Sequence, residues 1–290
     1  MNLGLGTVQF GLPYGISNRS GQVTPDEVKR ILRIAESNSL QVLDTAAGYG
    51  DSETVLGSGL ASQYNFSIVT KTLPLKTDRV HQKDVARVEA AFENSLRTLG
   101  QRSVYGLLVH HAVDLLNPGG ERIYVLLQRL KHDGFVKKIG VSVYNKEDVL
   151  RLFDRYSFDL VQLPLNVFDQ RFVRDGTLKQ LYASGVEVHA RSALLQGLLL
   201  MPSSTLPPHF ESIRHHHMTY LAELDKAGVS ALAGALGYFQ NRSEVSTVLV
   251  GVESSAQLQE CLREAKQTVV VDFNRFAVDD PKILDPRVWV

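Results

Sequence analysis

The chain has 290 residues, 44% hydrophobic and 21% charged, enough for one large or two small domains with a sizeable core and incompatible with disorder. Its 31 basic and 31 acidic residues cancel, which leaves no electrostatic footprint for nucleic acid or an anionic membrane. No apolar stretch reaches the ~20 residues of a membrane span, the start Met1–Gly6 lacks a signal-peptide pattern, and a lone Cys261 excludes internal disulfides and multi-cysteine metal clusters.

These exclusions predict a cytoplasmic globular protein. Leu3, Leu5, Thr7 and Val8 make a short extended run, broken by Gly4, Gly6 and Gly11, as a first strand. Thr24-Pro25-Asp26-Glu27 signals a helix start, with Thr24 as N-cap and Pro25 at the first helical position. Val28, Ile31, Leu32, Ile34 and Ala35 then recur at helical spacing up to Ser37. Val42–Asp44 reads as a strand, Ser52–Leu60 as a short helix and Phe66–Lys71 as the third strand. Asp84–Leu99 carries an apolar face and is closed by Gly100. Val104–Val109 is a fourth apolar run, ending on His110-His111.

A turn at Asn117-Pro118-Gly119 precedes a helix marked by Ile123, Leu126, Leu127 and Leu130, which ends near Gly134. Strands are expected at Val136–Val143, Leu160–Leu163 and Val186–His189, with helices at Asp148–Phe153 and Leu178–Ala183. Beyond a loop bearing Pro202, Pro207 and Pro208 come helical stretches at Met218–Leu224 and Ala231–Phe239. Thr247–Val250 is the eighth strand and Ser255–Ala265 the helix behind it. The tail, Asp279 to Val290, is polar and Pro-bearing, with Trp289 near its end; it is expected to pack back as an extended segment.

Eight apolar runs alternating with helices imply a parallel sheet buried on both faces. The expected fold is an α/β (β/α)8 TIM barrel, with residues 1–290 as a single domain. Barrel chemistry gathers at the C-terminal ends of strands. Those ends supply Asp44, Lys71, His110, Ser142, Gln162 with Asn166, Arg191 with Ser192, and Gly251. Between Asp44 and Lys71 lies Ala46-Ala47-Gly48-Tyr49-Gly50, a tyrosine held between glycines. An acid, a phenol and an ammonium brought together there make a proton donor.

Each residue taken singly has an ordinary role: Asp44 as a cap, Lys71 as a solvated strand end, Tyr49 as packing. Their joint order along the chain favours a site. His215-His216-His217 resembles a metal cluster, yet adjacent helical histidines point in different directions, so no metal is expected. His110-His111 finds no second ligand pair at metal spacing. Cys261 reads as a small buried residue on an amphipathic helix.

The stretches Leu43-Asp44-Thr45-Ala46-x-x-Tyr49-Gly50-x-Ser52-Glu53-x-x-x-Gly57, Val69-Thr70-Lys71, Leu107-Leu108-Val109-His110, Ile139-Gly140-Val141-Ser142 and Val161-Gln162 resemble the aldo-keto reductases across nearly the whole chain. The resemblance implies a catalytic tetrad of Asp44, Tyr49, Lys71 and His110. Tyr49 would donate a proton, Lys71 would draw its pKa down from ~10 toward the working range, Asp44 would hold Lys71, and His110 would orient the carbonyl. His110 is preferred to His111 because the apolar strand Leu107-Leu108-Val109 runs straight into it, and strand alternation sends the two to opposite sides.

For the cofactor, NADP(H) or NAD(H), the resemblance implies contacts from Gly6 and Thr7. Ser142 and Gln162 would hold the carboxamide, and Arg191 with Ser192 would lie beside the nicotinamide. Gln196, Gly197 and Leu198 would approach the pyrophosphate, and Gly251, Ser254 and Gln257 the adenosine end. Val143 stands where relatives often have Asn. The adenosine segment has no basic residue before Arg263, and Glu253 would repel a phosphate facing it. The N-terminal Leu3–Gly11 with Tyr14-Gly15-Ile16 is similar to a bacterial branch found with surface-sugar biosynthesis, which implies a sugar or nucleotide-sugar substrate.

The expected activity is NAD(P)-dependent reduction of a small-molecule carbonyl. An epimerase or lyase using its nicotinamide transiently, and a non-catalytic cofactor-sensing barrel, are the alternatives.

Overall fold

A computed structural model describes residues 1–60 and 64–289. Eight parallel strands close into one barrel in chain order: β1 (Leu3–Gly6), β2 (Val42–Asp44), β3 (Ser67–Lys71), β4 (Val104–Val109), β5 (Val136–Ser142), β6 (Leu160–Pro164), β7 (Glu187–Arg191) and β8 (Thr247–Gly251). β1 pairs with β8 as well as β2, so no sheet edge is left open. This is the (β/α)8 architecture expected from the alternating runs.

Strand alternation divides the core in two. Leu5, Leu43, Ile68, Leu107 and Val109 face outward into the layer of helices, where most of the apolar core lies. Val42, Val69, Leu108, Leu160 and Leu249 point into the barrel and form a separate apolar plug. Glycine serves this packing at Gly140, where a Cβ would collide with the Leu160 carbonyl.

Helix ends explain most boundary differences. The helix expected from Asp84 begins at Gln82, because Asp84 reaches back to accept the His81 backbone N–H at 3.0 Å. Asn145 caps Lys146–Phe153 by accepting from Asp148 N–H. Thr24 occupies the N-cap of Pro25–Ser37 without a side-chain bond. The first run stops at Gly6, and Val8–Gly11 turns into a single helical turn rather than continuing the strand.

The tail does pack back, but as Pro281–Leu284 and Pro286–Val288 turns instead of an extended segment. Asp280 and Asp285 each cap the turn after them, accepting from Lys282 and Arg287 N–H, while the two prolines preset the first helical φ. Trp289 donates its indole N–H to the Lys282 carbonyl and meets Phe210 edge-on; Val290 lies outside the described residues. No described helix is long and apolar enough to cross a membrane.

Candidate active site

The active layer follows from the period of two along each strand. Two residues beyond plug residues Val42, Val69, Leu108, Leu160 and Leu249 stand Asp44, Lys71, His110, Gln162 and Gly251. On the strands between, the same layer receives Gly6, Ser142 and Arg191. The polar ring therefore rests on a dry floor and can only open upward.

Asp44 and Lys71 end neighbouring strands and are 5% and 1% exposed, so the carboxylate and ammonium are withdrawn from water together. Lys71 Nζ donates to both Asp44 oxygens, at 2.9 and 2.8 Å, and to the Thr45 carbonyl at 2.8 Å. Burial alone would push the Lys71 ammonium down, but the charge of Asp44 and the neighbouring Tyr49 more than reverse this and hold it above its ordinary value. Gln162 completes the group: its Nε2 donates to Asp44 Oδ1 at 2.6 Å. That leaves the amide oxygen of Gln162 as its free polar atom for a ligand.

Tyr49 rides on a loop seated by backbone contact. A Cβ at Gly11 would strike the Tyr49 carbonyl, and one at Gly50, where φ is +56°, would approach the Gly11 carbonyl at 2.5 Å. The two glycines let the helical turn Val8–Gly11 lie directly against the loop. Lys71 Nζ lies 4.8 Å from the centre of the Tyr49 ring, and His110 meets that ring edge-on at 5.7 Å.

Burial is the largest influence on the phenol and raises its pKa. Lys71 pulls the other way, Asp44 pushes up again, and the net shift is upward, opposite to the lowering expected from Lys71 alone. Burial, reinforced by Lys71, His111 and Arg191, pushes the His110 imidazole down to about 3, so the ring is neutral. Its Nδ1 is enclosed without a partner. An enclosed lone pair costs less than a stranded N–H, which places the proton on Nε2, toward the cavity. His111 is exposed, with its ring 5.2 Å from that of His110 and outside the cavity that His110 lines.

Above this group opens a cavity of about 520 Å³, within the range of cofactor and small-molecule sites. Asp44, Tyr49, His110, Gly6, Thr7, Ser142, Gln162, Arg191, Ser192, Gln196, Gly197, Gly251 and Gln257 all line it. The Thr7 hydroxyl is spent on the Asp44 carbonyl and Ser52. Two expected contacts are not brought there. The side chain of Leu198 is buried in the core, and Ser254 caps the helix Ser255–Glu264 by accepting from Gln257 N–H.

Residues that motif reading did not assign also line the cavity: Gln9, Tyr14, Tyr144, Glu260 and Arg287. Tyr144 is clasped by two guanidinium groups, Arg191 at 3.9 Å and Arg287 at 3.5 Å from its ring centre. The donor set suits a nicotinamide dinucleotide. The Ser142 hydroxyl and Gln162 amide oxygen match a carboxamide, Arg191 supplies a positive charge, and the buried Gln9 Oε1 is left without a partner on the cavity wall. His217, from the histidine run, instead bonds Ser203 and the Leu198 carbonyl, and His216 bonds the Phe276 carbonyl.

The model of the aldo/keto reductase family matches residues 2–274. L-galactose dehydrogenase of Arabidopsis thaliana is 26% identical over 256 residues, covering 83% of this chain and 78% of the plant protein. Among solved structures, an aldo-keto reductase from Bacillus halodurans in its holo form superposes with a TM-score of 0.72 at 18% identity, covering 93% of this chain and 88% of that one. Glycerol dehydrogenase from Gluconobacter oxydans gives 0.70 at 22% identity, covering 93% and 87%. At these identities the two structures speak for the fold.

Proposed function

The chain belongs to the aldo/keto reductase family, and from that we propose that it reduces the carbonyl of a sugar-like substrate to an alcohol, with Tyr49 as proton donor. Membership makes it an NAD(P)-dependent oxidoreductase, and the nicotinamide, when bound, supplies the hydride. The observation that carries the assignment to Tyr49 is its phenol, set between the buried Lys71–Asp44 pair and neutral His110 on the cavity floor. His110 Nε2–H donates to the carbonyl oxygen and fixes its direction. As that oxygen takes on charge, Tyr49 passes it the phenolic proton, and Lys71 faces the phenolate left behind. Ser142 and Gln162 would hold the carboxamide of the bound nicotinamide, with Arg191 and Ser192 beside it.

The sugar-like substrate rests on the N-terminal resemblance and on the activity of the plant relative, an L-galactose dehydrogenase. Residues 1–290 act as one domain, in the cytoplasm, on a small molecule and not on nucleic acid.

The test is a panel of aldehydes and aldoses with purified protein and either reduced cofactor. Stoichiometric cofactor oxidation with product is expected, whereas turnover without net oxidation would favour an epimerase or lyase. Tyr49→Phe should abolish reduction and retain cofactor binding. Loss of binding in that variant would remove Tyr49 from the proton-donor role.

A further inference from the structure

We propose that the outer end of this cavity selects NAD(H) against NADP(H), because carboxylates and already-bonded backbone donors stand where a 2′-phosphate would need cations and free N–H groups. The inference rests on the reading of the cavity as a dinucleotide site, with the carboxamide at Ser142 and Gln162.

The cavity runs outward from the barrel axis. It reaches Glu253, in the turn after β8, and then Gln257, Glu260 and Cys261 on Ser255–Glu264, a helix of the outer ring. That end is the one left for the adenosine half. Its charged wall residues, Glu253 and Glu260, are both acidic.

The start of this helix would ordinarily offer N–H groups to an anion. Here Glu27 has taken that place: its carboxylate accepts Ser255 N–H at 2.5 Å. The Glu253 N–H is bonded to Gln257 Oε1 at 2.7 Å, and the Gln257 N–H to Ser254 Oγ at 3.2 Å. An arriving phosphate meets a third carboxylate and finds these donors occupied.

Two nearby cations are committed as well. Arg30 pairs with Glu27 at 2.6 Å, and Arg263 with Glu264 at 3.0 Å and Glu260 at 4.0 Å. Arg19 approaches Glu253 through its backbone. A ribose 2′-hydroxyl fits this environment, because it can donate to a carboxylate and carries no charge of its own.

Fluorescence titration of the full chain with NADH and NADPH at low ionic strength tests this directly. NADH should bind at least about tenfold more tightly. The ratio should shrink in Glu253→Gln/Glu260→Gln, whose circular dichroism spectrum and melting temperature, kept at those of the parent, report that it is folded, and should persist in Arg19→Ala. Equal or tighter NADPH binding overturns the inference alone, as does a ratio unmoved by the double change. Binding of neither cofactor overturns the cofactor reading and the inference with it.

Discussion

Neutralising one member of the Asp44–Lys71 pair should damage the barrel as well as the chemistry. Both groups are almost wholly buried, and Lys71 makes three contacts there, two of them to Asp44. In Asp44→Asn the ammonium keeps the Thr45 carbonyl, the neighbouring Tyr49 phenol and a neutral amide, but no counter-charge. In Lys71→Met the carboxylate keeps only the Gln162 donor. Stranding one charge of a buried pair costs about 3–5 kcal/mol. At about 2–4 °C per kcal/mol for a chain near this size, each variant should melt roughly 6–20 °C lower. The double variant carries no stranded charge, so it should be no less stable than either single one, while still lacking turnover. Scanning calorimetry on the four proteins closes the cycle. Additive losses in the double variant, or single losses below about 0.5 kcal/mol, would refute the reasoning.

Gly11→Ala should push the Tyr49 loop off its seat and lower kcat about 100-fold, with cofactor affinity little changed in a binding titration. Because the folded-state pKa of Tyr49 is raised, its proton is in place throughout neutral pH. Reduction should then show no loss through this group from about pH 6 to 9, and a pH–rate profile with alkaline loss inside that window would contradict the assignment. His110 titrates at about 3 when folded and near ~6.5 when unfolded. Its contribution is complete above the unfolded value and is lost as pH falls toward the folded one, by up to about 1.4 kcal/mol per pH unit. Urea melts of His110→Phe should therefore be flatter than those of the parent across that interval.

The barrel was legible because each strand, buried on both faces, had to be a continuous apolar run, and the polar residue that ended the run had to emerge at the site. Asp44, Lys71, His110 and Gln162 were placed by that rule. Features built from residues distant in sequence were not readable in this way. The seat of the Tyr49 loop joins Gly11 to Gly50, and the clasp on Tyr144 joins Arg191 to Arg287. The turn at Val8–Gly11 is too short to show a helical period, although the Asp280-Pro281 and Asp285-Pro286 pairs in the tail did carry a capping signal. Leu198 was drawn into the loop reading by its neighbours Gln196 and Gly197. Its aliphatic side chain turns instead to the core.

The reversed shift at Tyr49 defines what Lys71 contributes. A lone ammonium beside a phenol would lower its pKa, but this ammonium already holds a carboxylate through two hydrogen bonds, and the field reaching the ring is that of a pair. Burial then decides the sign, and the resting group is a protonated phenol. Asp44 thus exacts some of the acidity that Lys71 would confer, in return for keeping a buried cation in place at all. In the proton transfer proposed for Tyr49 the cation would matter most as the proton leaves: a phenolate withdrawn from water would have Lys71 facing its ring as the nearest compensating charge. A site arranged in this order stabilises charge as it forms and leaves the neutral phenol undisturbed, which is the requirement for a proton donor to a carbonyl oxygen.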